Sequence, residues 1–400
     1  MKHILIFSHA LELGGAERSL IGLLHSLDYS KVCVDLFLMR HAGELIAHIP
    51  QEVNLLPEIP QYAALAIPIK SAIRKGQIGV ALGRTFGKFA AKRYNKSHKI
   101  TSDSGVALEY SHKYTCSFMP IISNRNYDLA VSFLTPHYFV AKKAHAKKKI
   151  AWIHTDYSKL SVDQKSEAAM WNHYDHIVSI SDTVTNNFLQ IFPNFKNKVI
   201  LIENPLPQAL ILSDAHAFVP SDMPPRKNSF RLLSIGRYCN AKNFDSIPEI
   251  CAHTIRQGLN VYWYIIGFGS DEALIRTKIQ QYGMEERVIL LGKQQNPYPY
   301  IASCDLYVQP SRYEGKSVTV RESQALGKPV IITRYPTSSA QLEDGVDGII
   351  APMDNEGCAL AIANLLADPC KMLQLSENCV ARDYSNSQEV KKLYRLMETM

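Results

Sequence analysis

Short runs of strand-forming residues alternate along the whole chain with amphipathic segments, the βαβ signature of parallel sheets covered by helices. In the first half the runs fall at Ile4–Phe7, Val32–Leu38, Leu129–Phe133, Ile150–His154, Ile177–Ile180 and Val199–Ile202. In the second half they fall at Phe230–Ile235, Val261–Ile266, Val288–Leu291, Leu306–Gln309, Pro329–Thr333 and Gly348–Ile350. Helices are expected between most of them, including Ala16–Leu27 and Lys316–Leu326. At 400 residues the chain exceeds one ordinary core, so the pattern predicts two α/β, Rossmann-like domains. Residues 205–225 contain five prolines, which neither helix nor central strand tolerates. The expected organisation is a first domain over 1–204, a Pro-rich linker over 205–228 and a second domain over 229–385. No repeat of solenoid length and no low-complexity tract interrupts it.

Composition narrows the class. With 46% hydrophobic and 20% charged residues the chain can fill both cores, which excludes a disordered or fibrous protein. Its eight cysteines are dispersed without a Cys-x-x-Cys pair, which argues against a zinc ribbon or disulfide scaffold and suits a reducing cytosol. No apolar run approaches the ~18 residues of a membrane-spanning helix. The start, Met1 to His9, turns polar too soon for a signal sequence and reads as a strand.

Charge is placed unevenly. Residues 1–200 carry 24 Lys and Arg against 15 Asp and Glu, whereas the second half carries 20 against 22. Residues 59–102 hold nine basic residues and no acid. Arg84, Lys88, Lys92 and Lys96 recur every four residues, a single stripe if helical, with Ile69, Ile73, Val80, Phe86 and Phe89 among them. Gly76, Gly79, Gly83 and Gly87 weaken a helix there. The segment fits either a solvated face or an anionic membrane surface. Nucleic acid is not expected, since no stacking platform or binding motif accompanies the charge.

In open parallel sheets ligands sit beyond the carboxyl ends of the strands, so motifs should follow strands. Gly14-Gly15 after the first run suits a close approach of backbone to ligand, or merely a tight turn. It is not G-x-G-x-x-G, so a nicotinamide cofactor is not supported. Gly236-Arg237 followed by Lys242 places two cations beyond a strand, suited to a diphosphate or simply exposed at the surface. Gly267-x-Gly269 is a second close-approach turn. The most informative stretch runs from Ser311 to Pro329, where Glu314 and Glu322 lie eight apart around Gly315. Eight helical steps return to within about 80° of the start, so both carboxylates can face one cavity if Glu314 sits just ahead of the helix.

Taken in order, these motifs resemble the family 4 retaining glycosyltransferases of GT-B fold. The resemblance runs over nearly the whole chain and includes Trp152-Ile153-His154-Thr155-Asp156, Asn204-Pro205 and Ser303-Cys304-Asp305-Leu306. It implies two Rossmann-like domains whose parallel sheets face across a cleft, with a last helix, about 386–400, returning to the first domain. By resemblance, Arg237 and Lys242 bind the donor diphosphate, Glu314 the transferred sugar and Glu322 the ribose. Backbone N–H groups near Gly315, Lys316, Ser317 and Val318 hold the distal phosphate, and His154 lies against the sugar. Gly15 and Gly236 allow close approach, while Gly267, Gly269, Lys293 and Gln294 shape the base pocket. Asp156 is a candidate to orient His154 or meet the acceptor. The family often has an apolar residue where this chain has Lys316.

The expected activity is retaining transfer of a sugar from a nucleotide-sugar to a glycan or lipid-linked acceptor in surface polysaccharide synthesis, at the cytoplasmic face of the membrane. UDP is the expected carrier, being commonest among relatives. No Asp-x-Asp suited to a metal follows a donor-domain strand, so no metal or other cofactor is expected and the two cations replace it. The alternatives are a sugar-nucleotide epimerase of the same fold and an inactive partner that binds nucleotide-sugar.

Overall fold

The computed structural model describes residues 1–100 and 104–398. The last two residues of the basic segment 59–102 and of the helix expected over 386–400 lie outside the described residues. The chain divides into two compact units, one built from Met1–Pro205 with the residues from Ser387 on, the other from Leu206–Asn386.

The first unit carries seven strands: β1 (Lys2–Ser8), β2 (Val32–Leu38), β3 (Asn54–Leu55), β4 (Asn126–Ser132), β5 (His145–Ile153), β6 (His176–Ser179) and β7 (Val199–Leu201). They form one sheet in the order β3-β2-β1-β4-β5-β6-β7, every pairing parallel. The two-residue β3 escapes sequence reading because it is too short for a period of two to show. The final helix, Val390–Glu398, buries Val390, Leu393 and Met397 at helical spacing. It is tied to this unit by Lys392 Nζ donating to the Leu201 carbonyl at 3.0 Å and by the Asp28 N–H donating to the Tyr394 hydroxyl at 2.6 Å.

The second unit carries β8 (Phe230–Ile235), β9 (Val261–Ile266), β10 (Val288–Gly292), β11 (Leu306–Gln309), β12 (Val330–Thr333) and β13 (Ile349–Ala351). Their order is β10-β9-β8-β11-β12-β13, again all parallel. Alternation along each strand divides its side chains between two cores. Leu233, Ile235, Tyr264, Ile266 and Tyr307 pack on one face, while Leu232, Trp263, Ile265, Leu306 and Val308 pack on the other. That explains why these strands read as nearly unbroken apolar runs.

Three expectations need correction. The stretch expected as a linker over 205–228 belongs, from Leu206 on, to the second unit instead. It contains the helix Gln208–Asp214 and sinks Leu206, Ile211, Ala215 and Met223 into that unit's core. Its prolines therefore bound a short helix rather than prevent one. The glycines of the basic segment do not prevent a helix, Ile78–Ser97, and two of them allow it to pack closely. A Cβ on Gly83 would lie 2.7 Å from Thr115 Cα, and one on Gly87 2.7 Å from the Tyr110 carbonyl oxygen of the helix Val106–Thr115. Arg84 leaves the basic stripe, because it turns inward to the Ala64 carbonyl at 2.9 Å and also reaches that of Ile67.

Glu109 and Glu167 are among the acids that the first unit buries. Glu109 accepts hydrogen bonds from Tyr138 and Ser166, and Glu167 accepts from Tyr157 at 2.8 Å. Burial pushes the Glu167 carboxyl up to about 8. It is therefore protonated in the native state at neutral pH and ionised in the unfolded chain, so the native state holds the extra proton between about pH 4.5 and 8. This contribution is fully present below that window and fades as pH rises through it. Urea unfolding should show stability falling between pH 6 and 7 by up to about 1.4 kcal/mol from this group. Glu167→Gln should flatten that slope, and an unchanged slope would assign the pH dependence elsewhere.

Candidate functional site

In both sheets the order reverses direction between two neighbouring strands, at β1/β4 in the first unit and at β8/β11 in the second. Such switch points open a crevice beyond the carboxyl ends of the strands. In the second unit the β8 end carries Gly236-Arg237 and the turn Asn240–Lys242, and the β11 end leads into Ser311–Glu314. The two segments meet through a contact between Lys242 Nζ and Glu314 Oε1 at 2.6 Å, with both side chains largely buried. Sequence spacing could not place these two residues together, since they are 72 positions apart.

The glycines have separate reasons. A Cβ on Gly236 would press on the Lys242 stem, 3.1 Å from Cε, so its absence lets the lysine cross the strand end. Gly267 has φ +153°, and a Cβ there would stand 1.9 Å from the Gly236 carbonyl oxygen. A Cβ on Gly269 would stand 2.3 Å from the Tyr238 carbonyl oxygen. The Gly267-x-Gly269 turn after β9 is thus pressed against the backbone after β8, an approach sealed by the Tyr238 N–H donating to the Phe268 carbonyl at 2.8 Å. After β10, Lys293 lies over the Phe268 ring, 5.3 Å from its centroid, and Gln294 donates to the Leu291 carbonyl at 3.0 Å. The residues expected at the base pocket are therefore neighbours.

Glu314 is held by a chain of hydrogen bonds that sequence reading missed. The Tyr307 hydroxyl donates to Gln309 at 2.8 Å, Gln309 Nε2 to Ser311 Oγ at 3.0 Å, and Ser311 Oγ to Glu314 Oε1 at 2.7 Å. Thr337 Oγ1 donates to the Glu314 carbonyl at 2.7 Å. On the opposite side Arg312 makes a two-pronged pair with Asp245 at 3.0 and 2.8 Å and donates to the Asn240 carbonyl at 2.7 Å. The turn that carries Lys242 is thereby clamped to the loop that carries Glu314. The chain's one sequence trace is its alternation Tyr307, Gln309, Ser311 on one face of a strand, which reads equally well as ordinary core.

Arg237 is exposed at the β8 end and forms no ion pair among the described residues. The helix expected from Lys316 starts at Val318, with Ser317 as its cap, so Gly315 and Lys316 belong to the loop before it. Ser317 needs correction as a phosphate donor: its N–H already donates to Gln341 Oε1 at 2.6 Å, and Gln341 Nε2 donates back to its carbonyl at 3.2 Å. Glu322 is fully buried and accepts from the Tyr298 hydroxyl at 3.0 Å. Burial raises the Tyr307 phenol, and the carboxylates of Glu322 and Glu314 add to that rise, so both acids lie in its neighbourhood.

His154 and Gly15 belong to the first unit. Gly15 opens the helix Gly15–Ser26, after an extended Gly14, and its carbonyl accepts from Ser19 Oγ at 2.8 Å. His154 follows β5 with its ring 4.5 Å from that of Phe133. Burial holds its pKa down at about 3 against a hydrogen bond to the Phe133 backbone, so the imidazole is neutral at physiological pH. Asp156 does not orient it: its carboxylate accepts from the Ser158 N–H at 2.9 Å and from Asn187 Nδ2 at 2.8 Å. Sequence reading also missed that His112 and His137 are buried and His9 partly so, all three with lowered pKa values in the same unit, interacting with one another and, through His137, with His154. Nothing in their scattered positions signals this. Among the described residues, no three His, Cys, Asp or Glu side chains are grouped to hold a metal ion.

Residues 229–368 match the family described as glycosyl transferases group 1. Among curated proteins, the lipopolysaccharide core biosynthesis glycosyltransferase LpsE of Rhizobium meliloti is 29% identical over 40% of this chain and 44% of its own length. The amylovoran biosynthesis glycosyltransferase AmsK of Erwinia amylovora is 31% identical over 34% of this chain and 35% of its own. A Campylobacter jejuni protein is 31% identical over 31% of this chain and 34% of its own; its name describes α-N-acetylgalactosamine transfer to a diphospho-undecaprenol-linked sugar. Each match thus spans less than half of the relative. Among solved structures, Anabaena HepE in complex with UDP and glucose superposes over 100% of both chains with TM-score 0.69 at 16% identity. S. aureus TarM does so over 100% of both chains with TM-score 0.68 at 14% identity.

Proposed function

From a chain with the GT-B fold whose residues 229–368 carry the sequence of group 1 glycosyl transferases, we propose that the protein transfers a sugar from a nucleotide-sugar, a UDP-sugar, to a glycan or lipid-linked glycan acceptor. The relatives named for lipopolysaccharide core and amylovoran synthesis support a place in bacterial surface polysaccharide assembly. The relative acting on a diphospho-undecaprenol-linked sugar supports a lipid-linked acceptor used at a membrane surface. UDP in the HepE and TarM complexes supports the choice of carrier.

One observation carries the reading: a lysine and a glutamate, clamped 2.6 Å apart at the switch point of the second unit, with an exposed arginine on the same strand end. Arg237 and Lys242 would neutralise the diphosphate as negative charge grows on the departing nucleotide, so transfer would need no divalent metal. Glu314, held in place by Lys242, would accept hydroxyls of the transferred sugar and orient it. Glu322, with Tyr298, would meet the ribose, and the amides of Gly315, Lys316 and Val318 would meet the distal phosphate at the helix start. Lys293 and Gln294 would border the base between the Gly267 and Gly292 turns. His154, being neutral, would donate or accept a hydrogen bond at the sugar without carrying charge, and Gly15 would let its loop approach the substrates. Transfer with retention would follow from attack on the face the nucleotide leaves, its phosphate taking the acceptor proton. Glu314 would then act in orientation rather than as a nucleophile.

Thermal unfolding in the presence of EDTA tests the donor assignment. UDP and its sugars at about a hundredfold excess over their dissociation constants should raise stability by about 2.7 kcal/mol. A shift with nicotinamide dinucleotides alone, or none with any nucleotide, would overturn it.

A further inference from the structure

The solvent side of the helix Ile78–Ser97 is the reverse of an ordinary surface helix. Ile78, Leu82, Phe86 and Phe89 are 60%, 49%, 65% and 68% exposed. At about 100° per residue they fall within an arc of about 80°. Arg93 and Lys96 continue that arc toward the carboxyl end, and Lys92 and Lys88 flank it; all four are exposed. The opposite side is already occupied, since Gly83 and Gly87 abut the helix Val106–Thr115. Phe118 packs beside Gly79, so its half-exposed ring extends the apolar end.

None of these four cations forms an ion pair among the described residues. From residue 59 to 127 the sequence contains only Asp103, outside the described residues, and Glu109. Glu109 is turned inward to Tyr138 and Ser166. An apolar patch beside uncompensated lysines satisfies two requirements of an anionic bilayer at once, rings for the acyl boundary and cations for the headgroups. A protein partner would need matching acids around an apolar socket. A solvated face would have no reason to hold four large apolar side chains.

We infer that the exposed face of Ile78–Ser97 docks this chain on an anionic lipid surface, with Ile78, Leu82, Phe86 and Phe89 in the headgroup–acyl boundary and Lys88, Lys92, Arg93 and Lys96 on the phosphates. The inference gives a location to the membrane setting of the proposed function, on which it rests for its purpose. Its test needs no nucleotide or acceptor, so the two readings fail separately.

Flotation of the full chain with phosphatidylcholine vesicles, with and without phosphatidylglycerol, provides that test. Binding should require phosphatidylglycerol and weaken with salt. Lys88→Gln, Lys92→Gln, Arg93→Gln and Lys96→Gln together should lower it by about a hundredfold or more, each cation contributing about fivefold. Phe86→Ser with Phe89→Ser should abolish the binding that survives high salt. Both variants alter exposed side chains and should keep the wild-type melting temperature and UDP-induced shift. Equal binding to both vesicle types, or unchanged binding by both variants, would overturn the inference. So would a concentration-dependent dimer that the two serines dissociate, since the face would then belong to a second copy.

Discussion

Replacing Lys242 by methionine should lower turnover of the nucleotide-sugar by a hundredfold to a thousandfold, about 2.7–4 kcal/mol of transition-state stabilisation, the usual effect of removing one preorganised charge donor. Methionine keeps an unbranched stem over Gly236, where Cε of the lysine lies 3.1 Å from a Cβ position, and removes only the ammonium. Glu314 keeps its hydrogen bond from Ser311 and its backbone tie to Thr337, so the loop should stay in place. The stability loss should be modest, about 1–2 kcal/mol. That is below the cost of breaking a fully buried pair, since the two side chains remain 18% and 11% exposed. Lys242→Ala should lose as much turnover but more stability, because the stem contact disappears as well. Turnover by the methionine variant within about threefold of wild type would remove the lysine from the leaving-group role.

Gly267→Ala should be more damaging to the fold than to any single contact. The residue combines φ +153° with a Cβ position 1.9 Å from the Gly236 carbonyl oxygen, and that obstacle is backbone rather than a flexible side-chain end. Relief requires the turn after β9 to move off the strand end after β8, which breaks the close approach between them. The expected cost is about 3 kcal/mol or more, combining backbone strain with the clash. For a unit of this size that corresponds to roughly 6–12 °C in melting temperature. Gly283→Ala is the control: it also has positive φ, +63°, but nothing within 4 Å of its Cβ position. A melting point for Gly267→Ala no lower than that of Gly283→Ala would show that the approach is not rigid.

The strands were legible because their physics is local. Three of the six second-unit runs, such as Phe230–Ile235 and Leu306–Gln309, match their strands to the residue, since burial on both faces leaves a continuous apolar signal or its period-two split. The run expected at Pro329–Thr333 begins one residue later, at Val330. Prolines misled over 205–228, because they exclude helix only within helix interiors and this segment uses them at its edges. Glycines misled over 76–87 because propensity counts the entropy lost by the chain and not the packing a missing Cβ permits. At the site, Arg237, Lys242 and Glu314 were found as residues after strands. Their restraints, Arg312 on Asp245 and Ser311 on Glu314, were not, because a hydrogen-bond chain leaves no periodicity.

From residue order alone came what depends on near neighbours: parallel α/β units, glycine turns at strand ends, and cations and carboxylates placed just beyond those ends. Tertiary structure alone decided which of them meet. It set Lys242 against Glu314 across 72 positions, withdrew the Ser317 amide into a bond with Gln341, neutralised His154 by burial and turned four apolar side chains of Ile78–Ser97 outward. The physical reason is common to all four. Charge, desolvation and exposure depend on distances through space, and the chain's spacing encodes those distances only within a turn or a strand.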